Sequence, residues 1–227
     1  MKALIIEDDA DVAEAVSLCL QLRWHQIMPF VATKGTRGIE MLQSESFDIV
    51  VLDINLPDID GFEVLNQIRS FSNVPVIIVT VRGKEEDQAR GLEMGADDYI
   101  VKPFRPRDFV ARVNAVLRRS YVPKVTGEQL SVVRGKLVLN LATNEVWVGE
   151  EVVELTPTEC KLLYVLMNNA EHTLSSKKII EEVWGKEYID TGPLRTYIRR
   201  LRDKLKDKPP QIILTERGGG YRFVSPS

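Results

Sequence analysis

From Lys2 to Arg119 the chain repeats one pattern five times: a short apolar run, then a segment with apolar residues at helical spacing. The runs are Ala3–Ile6, Gln26–Ala32, Ile49–Leu52, Val76–Val79 and Tyr99–Val101; the helical segments are Ala10–Leu22, Lys34–Gln43, Gly61–Phe71, Glu85–Met94 and Pro106–Arg119. Five such units predict an α/β fold, a doubly wound five-stranded parallel sheet with helices on both faces. Pro29 interrupts the second run, and a proline cannot donate to a sheet ladder, so that strand belongs at an edge. The flavodoxin-like order 2-1-3-4-5 places it there.

The chain has 227 residues, more than one such sheet needs. Ser120–Gln129 breaks both periodicities and contains Pro123 and Gly127, so a linker is expected at 120–129 between a first domain, 1–119, and a second, 130–227. In the second domain Leu137–Leu139, Glu145–Val148 and Val152–Val153 predict a small antiparallel meander. Thr156-Pro157-Thr158-Glu159 carries the marks of a capped helix start, and further helices are expected at about Ser176–Trp184 and Pro193–Lys206. Gln211–Thr215 and Tyr221–Val224 flank Glu216-Arg217-Gly218-Gly219-Gly220, a hairpin with a glycine-rich tip.

The net charge of −3 conceals an asymmetry: residues 1–119 carry 14 basic and 19 acidic side chains, whereas the remainder carries 16 and 14. Between Gly192 and Lys206 six basic residues face one acid, Asp203, which points to a polyanion. No stretch approaches about 18 consecutive apolar residues, and Met1–Leu4 runs into acids without a signal-peptide pattern. No membrane association and a cytoplasmic location are therefore expected. Cys19 and Cys160 lie far apart in amphipathic segments and are expected to be buried thiols. Trp147 and Trp184 are expected in the core.

In a doubly wound sheet, ligands bind beyond the carboxyl ends of the strands, where the strand order reverses. The first strand ends in Glu7-Asp8-Asp9 and the third in Asp53. Carboxylates gathered at one point repel unless a hard cation sits among them, and oxygen ligands in a wet site suit Mg²⁺. Asp9 is better placed to cap the first helix than to bind metal. The fourth strand ends in Thr80 and the fifth in Lys102-Pro103. A cation, a hydroxyl and an ammonium together describe a phosphoryl site.

On these residues, and on the strings Asp53-Ile-Asn-Leu-Pro-Asp-Ile-Asp-Gly61 and Gly95-Ala-Asp-Asp-Tyr-Ile-Val-Lys-Pro103, the chain resembles bacterial two-component response regulators of the OmpR/PhoB type over nearly its whole length. The resemblance implies a CheY-like receiver domain followed by a winged helix-turn-helix domain. It implies Asp53 as phosphoacceptor, with Glu7 and Asp8 as the acidic pair and Asn55 as a further Mg²⁺ ligand through its carbonyl. Thr80, Tyr99 and Lys102 become the phosphorylation switch. A sensor histidine kinase is the implied donor, and autodephosphorylation is the only chemistry expected of the chain. The implied homodimer pairs Asp97 with Arg119 and Asp98 with Arg112 near Arg118; Asp108 faces Gln88, where an arginine is usual, so a weaker dimer is expected. Val81, where a small residue is common, is expected to narrow the phosphoryl entrance.

On a helical wheel Leu194, Ile198, Leu201 and Leu205 form a core stripe. Arg195, Arg199, Arg202 and Lys206 lie on one flank, and Tyr197, Arg200 and Lys204 on the other. This basic helix followed by a hairpin is a winged arrangement, expected to place Arg195, Tyr197 or Arg199 against bases and Arg200 and Lys206 on phosphates. Arg202 and Thr215 join the expected contacts, and Arg217 is expected to reach a minor groove from the wing. The family often opens this helix with a basic residue and Thr-Val-Asp, where this chain has Gly192-Pro193-Leu194-Arg195. Promoter direct repeats and RNA polymerase complete the implied partners. Two rivals remain: a haloacid dehalogenase-type phosphatase, which wants a second Asp where Asn55 stands, and a pseudo-receiver that binds DNA independently of phosphorylation.

Overall fold

The computed structural model describes residues 1–120, 131–185, 192–216 and 218–226. Positions 121–129 of the expected linker, and Arg217, lie outside the described residues, as does the side chain of Arg119. The chain divides into two compact units, Met1–Leu117 and Arg118–Ser227.

In the first unit, strands β1 (Lys2–Ile6), β2 (Met28–Ala32), β3 (Ile49–Leu52), β4 (Val76–Thr80) and β5 (Asp98–Val101) form one parallel sheet in the order β2-β1-β3-β4-β5. Pro29 sits on the edge strand, as its missing N–H requires. The intervening helices are α1 (Ala10–Arg23), α2 (Gly35–Ser44), α3 (Gly61–Phe71), α4 (Glu85–Glu93) and α5 (Pro106–Ser120). Successive side chains of a strand alternate between faces, which splits the core in two. Ala3, Ile5, Val51, Ile77 and Val79 pack with Val16 and Leu20 of α1 and Phe109 and Val113 of α5. Leu4, Ile6, Val50, Leu52 and Ile78 pack with Phe62, Leu65 and Ile68 of α3 and Leu92 of α4. Burial on both faces accounts for the near-continuous apolar strands. Asp9 caps α1, its carboxylate accepting from the amides of Asp11 and Val12.

The second unit begins with a four-stranded antiparallel sheet of β6 (Ser131–Arg134), β7 (Leu137–Asn140), β8 (Glu145–Val148) and β9 (Glu151–Glu154). It continues with α6 (Pro157–Asn168), β10 (Thr173–Ser175), α7 (Ser176–Val183), α8 (Gly192–Lys204), β11 (Ile213–Glu216) and β12 (Gly220–Phe223). The last three strands pair in the order β10-β12-β11. Two strands escape the sequence pattern: β6 abuts the aperiodic segment, and β10 has three residues, too few to show alternation. Thr156 caps α6 with its hydroxyl while Glu159 reaches back to the Thr156 amide, completing a capping box. Cys19 and Cys160 are both buried and free. Trp184 is in the core, packed edge-on against Tyr197 at 5.3 Å. Trp147 is not: it is partly exposed in a cross-strand row with Val138 and Val152, because its position in the register turns it to the face opposite the core residue Val146.

Gly61 opens α3 directly behind Asp53, and a methyl at its Cβ position would lie 2.2 Å from the Asp53 carbonyl oxygen and 2.6 Å from the Ile54 Cα. Both neighbours are backbone and cannot turn away as a side chain would. Gly61→Ala is therefore expected to destabilise the first unit by about 1 to 3 kcal/mol, the usual cost of overpacking. Urea unfolding checks it, and an unchanged midpoint would mean that the loop shifts without cost.

Candidate functional site

Parallel pairing sets the first site. Ile6 pairs with Leu52, so the next residues, Glu7 and Asp53, leave the sheet side by side, and the Asp53 amide donates to the Ile6 carbonyl at 2.9 Å. Oxygen atoms of Glu7, Asp8 and Asp53 lie within 4.8 Å of one another, with Glu7 and Asp53 buried and Asp8 exposed. Thr80 pairs with Val101 across β4 and β5, which delivers Lys102 to the same end of the sheet. The Lys102 ammonium donates to Glu7 Oε2 at 2.6 Å and to Asp53 Oδ2 at 2.7 Å. Asp53 Oδ1 accepts the Asn55 amide at 3.1 Å.

Burial dominates the electrostatics of Glu7: loss of water raises its pKa to about 7, against the opposing pull of Lys102. Burial also works against the Lys102 ammonium, but hydrogen bonds to Asp53 and Glu7 outweigh it and raise Lys102 above its ordinary range. A set of carboxylate oxygens, partly buried with one exposed member, is hard, anionic and open to solvent on one side. That donor set fits Mg²⁺, held by Glu7, Asp8 and Asp53 with the Asn55 carbonyl nearby in the chain.

The mouth of the site contains a residue that the sequence pattern did not single out. Arg82 Nε donates to Asn55 Oδ1 at 2.7 Å, and its Nη2 lies 3.3 Å from Asp60 Oδ2. With Asp8 and the loop after β3 it lines an open cleft of about 380 Å³. The Tyr99 hydroxyl donates to the Arg82 carbonyl at 2.7 Å. Burial, followed by the charge of Asp87, pushes the Tyr99 phenol up to about 12, so it remains a donor. Thr80 is fully buried, and Val81 is 61% exposed at the rim.

Among residues expected at a dimer interface, Asp97 is 1% exposed in the single chain, its Oδ2 accepting from Arg69 Nη2 at 3.2 Å and from the Val76 amide at 3.0 Å. Asp98 is also buried, pairing with Arg112 of its own chain at 2.8 Å. Gln88 donates to the Gly83 carbonyl, while Asp108 and Arg118 are exposed.

The second site is α8. Leu194, Ile198, Leu201 and Leu205 are all buried, as the helical wheel requires. The two flanks, however, do not share one environment. Arg195 and Arg199 are exposed. Tyr197, expected at DNA, is 0% exposed and belongs to the core, because its flank turns towards α6 and α7. Arg200, expected on phosphate, instead places its Nη2 2.6 Å from Glu159 Oε1 and its guanidinium over the Tyr197 ring. Arg202 donates to the Ile213 carbonyl and to Thr215 Oγ1, both at 2.9 Å, tying α8 to the hairpin. Lys206, just past the helix, is exposed beside Glu151. Buried Asp207 accepts the amides of Gln211, Ile212 and Ile213, fixing where β11 starts.

Comparison with known proteins follows the same division. Residues 3–114 match the family described as response regulator receiver domain, and residues 149–223 the family described as transcriptional regulatory protein, C terminal. The chain is 37% identical to the uncharacterized transcriptional regulatory protein YrkP of Bacillus subtilis (strain 168), covering 98% of this chain and 97% of that one. It is also 37% identical to the phosphate regulon transcriptional regulatory protein PhoB of Shigella flexneri, with 98% and 97% covered. Among solved structures, a RitR mutant superposes with a TM-score of 0.77 at 26% identity, covering 98% of both chains. The response regulator DrrB of Thermotoga maritima, an OmpR/PhoB homolog, gives 0.51 at 30% identity over 98% of each.

The raised Glu7 pKa carries a pH prediction. A carboxyl group that binds its proton more tightly folded than unfolded stabilises the fold fully below its ordinary value of 4.5, and that contribution is lost as pH rises through about 7. Without Mg²⁺, Glu7→Gln is therefore expected to be worth little at pH 5 and to stabilise by on the order of 3 kcal/mol at pH 8. Urea unfolding of both proteins in chelator checks it. An equal difference at the two pH values would place the titration elsewhere.

Proposed function

The chain belongs to the response regulators that join a receiver domain to an OmpR/PhoB-type DNA-binding domain, and it is a phosphorylation-controlled DNA-binding transcription regulator; on that premise we propose that Asp53 is the phosphoacceptor and α8 the DNA-recognition helix. The observation that carries the reading is the convergence of Glu7, Asp8, Asp53 and Lys102 at one end of the sheet. Receiver function is assigned to residues 1–119, a linker to 120–129 and DNA binding to 130–227, in the cytoplasm.

An oxygen of the Asp53 carboxylate attacks the phosphorus of a phosphohistidine on the sensor kinase. The phosphorus–nitrogen bond breaks, an acyl phosphate forms, and the imidazole leaves with a proton from water. Glu7, Asp8 and Asp53, with the Asn55 carbonyl, would hold Mg²⁺, which would supply charge neutralisation of the phosphoryl oxygens. Lys102, already 2.7 Å from Asp53 Oδ2, holds the carboxylate in place and stays to pair the new phosphoryl charge. Thr80 and Tyr99 read that charge as the switch pair, Thr80 from the end of β4 and Tyr99 through its bond to the Arg82 carbonyl. Autodephosphorylation is hydrolysis of the same acyl phosphate.

The phosphorylated chain forms a homodimer through the face of α4, β5 and α5, with Arg112, Arg118 and Arg119 as its basic side. It binds direct repeats in promoter DNA and engages RNA polymerase. Arg195 and Arg199 read base edges from the first turns of α8, Lys206 and Thr215 hold the backbone, and Arg217 enters a minor groove. Arg202 serves DNA binding through the hairpin it orients.

Two measurements test this reading. Asp53→Ala is expected to abolish acid-labile labelling by acetyl phosphate with Mg²⁺, and stoichiometric label on that variant would reject Asp53. Arg199→Ala is expected to cost about 1 to 3 kcal/mol at a site selected from random DNA and to flatten preference at one base pair. Equal losses on all sequences would reassign Arg199 to the phosphate backbone.

A further inference from the structure

Six basic residues between Gly192 and Lys206 would give α8 a large, sequence-blind attraction to DNA if all of them faced it. A single buried carboxylate withdraws two of them. Glu159, in the first turn of α6, is 0% exposed, and its carboxylate meets Arg200 Nη2 at 2.6 Å, Lys204 Nζ at 2.8 Å and the Thr156 amide at 2.8 Å. Lys204 also donates to the Glu154 carbonyl. Burial works against the Glu159 charge, but Arg200 and Lys204 outweigh it and hold the carboxyl below its ordinary range. Arg200 and Lys204 are four residues apart, one above the other on the helix, so one buried carboxylate holds both cations of that flank of α8. Arg195 and Arg199 are thereby left on the exposed flank.

We propose that Glu159 is a specificity-positioning residue: it holds Arg200 and Lys204 away from DNA phosphates and sets the rotation of α8 that presents Arg195 and Arg199 to base edges. The inference rests on the assignment of α8 as the recognition helix. Its physical basis is a difference in how two kinds of contact scale. Phosphate contacts strengthen binding to every sequence alike, whereas base contacts separate one site from the rest. A helix that sheds surplus phosphate contacts loses affinity for the non-specific competitors and keeps its discrimination.

Glu159→Gln is the test, because glutamine retains a carbonyl for the Thr156 amide and so preserves the capping box while removing the charge that holds the two cations. The full chain, treated with acetyl phosphate, is titrated against a duplex selected from a random-sequence pool and against a scrambled duplex of equal length, from low to high salt. For the scrambled duplex, the slope of log affinity against log salt is expected to steepen by about 1 to 2, since each added phosphate contact contributes about 0.9. Affinity for that duplex at low salt is expected to rise about tenfold, and the ratio between selected and scrambled duplexes to fall as α8 loses the rotation that presents Arg195 and Arg199 to base edges. A lower melting temperature with slope and ratio unchanged would overturn the proposal and leave Glu159 a purely structural ion pair. Should Glu159→Gln not fold, Lys204→Gln decides: the proposal expects the wild-type slope, and a fall of about 0.9 would show that Lys204 already contacts phosphate. Failure of the recognition-helix assignment looks different, since the unsubstituted chain would then bind neither duplex with a salt-dependent slope.

Discussion

Like charges forced together at the ends of two buried strands are the constraint around which the first unit is built. Parallel pairing of β1 with β3 leaves no choice about where Glu7 and Asp53 emerge, and with Asp8 their oxygens converge within 4.8 Å. Repulsion at that spacing is tolerable only with positive charge between the carboxylates. Lys102 supplies one part, bridging Glu7 and Asp53 from the end of β5, and a divalent cation would supply the rest. The same need suits the pocket to phosphoryl chemistry: cations gathered for carboxylates can also neutralise phosphoryl oxygens.

The second unit answers the opposite problem, surplus positive charge, with the opposite element. Glu159 is a single buried carboxylate serving two cations and a helix cap. Removing one partner of such a group leaves an uncompensated buried charge, so the arrangement is held as a unit. Through Arg200 it continues to the Tyr197 ring and on to Trp184, joining α6, α8 and α7. Arg202 and Asp207 then tie the end of α8 to β11. Helix and hairpin are thus positioned by polar contacts laid over a shared apolar core.

Much of this was legible in the residues. Five apolar runs with helical segments between them dictate the sheet, because only parallel strands covered on both faces need be apolar throughout. The acids at the ends of the first and third runs, with Thr80 and Lys102 at the ends of the next two, fall at the switch point by topology alone. The capping box at Thr156 and the core stripe of α8 follow from spacing. One residue of the sites, Arg82, was not singled out, and another, Glu159, only as part of a helix cap. Arg82 follows a strand end by two residues, and nothing local shows that its side chain crosses to Asn55 and Asp60. Glu159 did carry a signal beyond its cap: it lies at helical spacing with Leu162, Leu163 and Leu166, so its carboxylate falls on the buried face and requires a cation there.

What the sequence determined by itself is therefore whatever depends on period and order: the strand order, the faces of each helix, and the gathering of Glu7, Asp8, Asp53 and Lys102. What only the tertiary structure decided is which partner a long charged side chain finds. Asp97 turned inward to Arg69, Tyr197 joined the core, and Arg200 and Lys204 turned to Glu159 instead of outward. A helical wheel assigns each residue an angle, but that angle does not say which neighbouring helix lies there or what charge it carries. Arginine and lysine reach far enough to choose between solvent and a buried carboxylate 41 and 45 residues away in the chain, and the close approach of α6 to α8 made the choice.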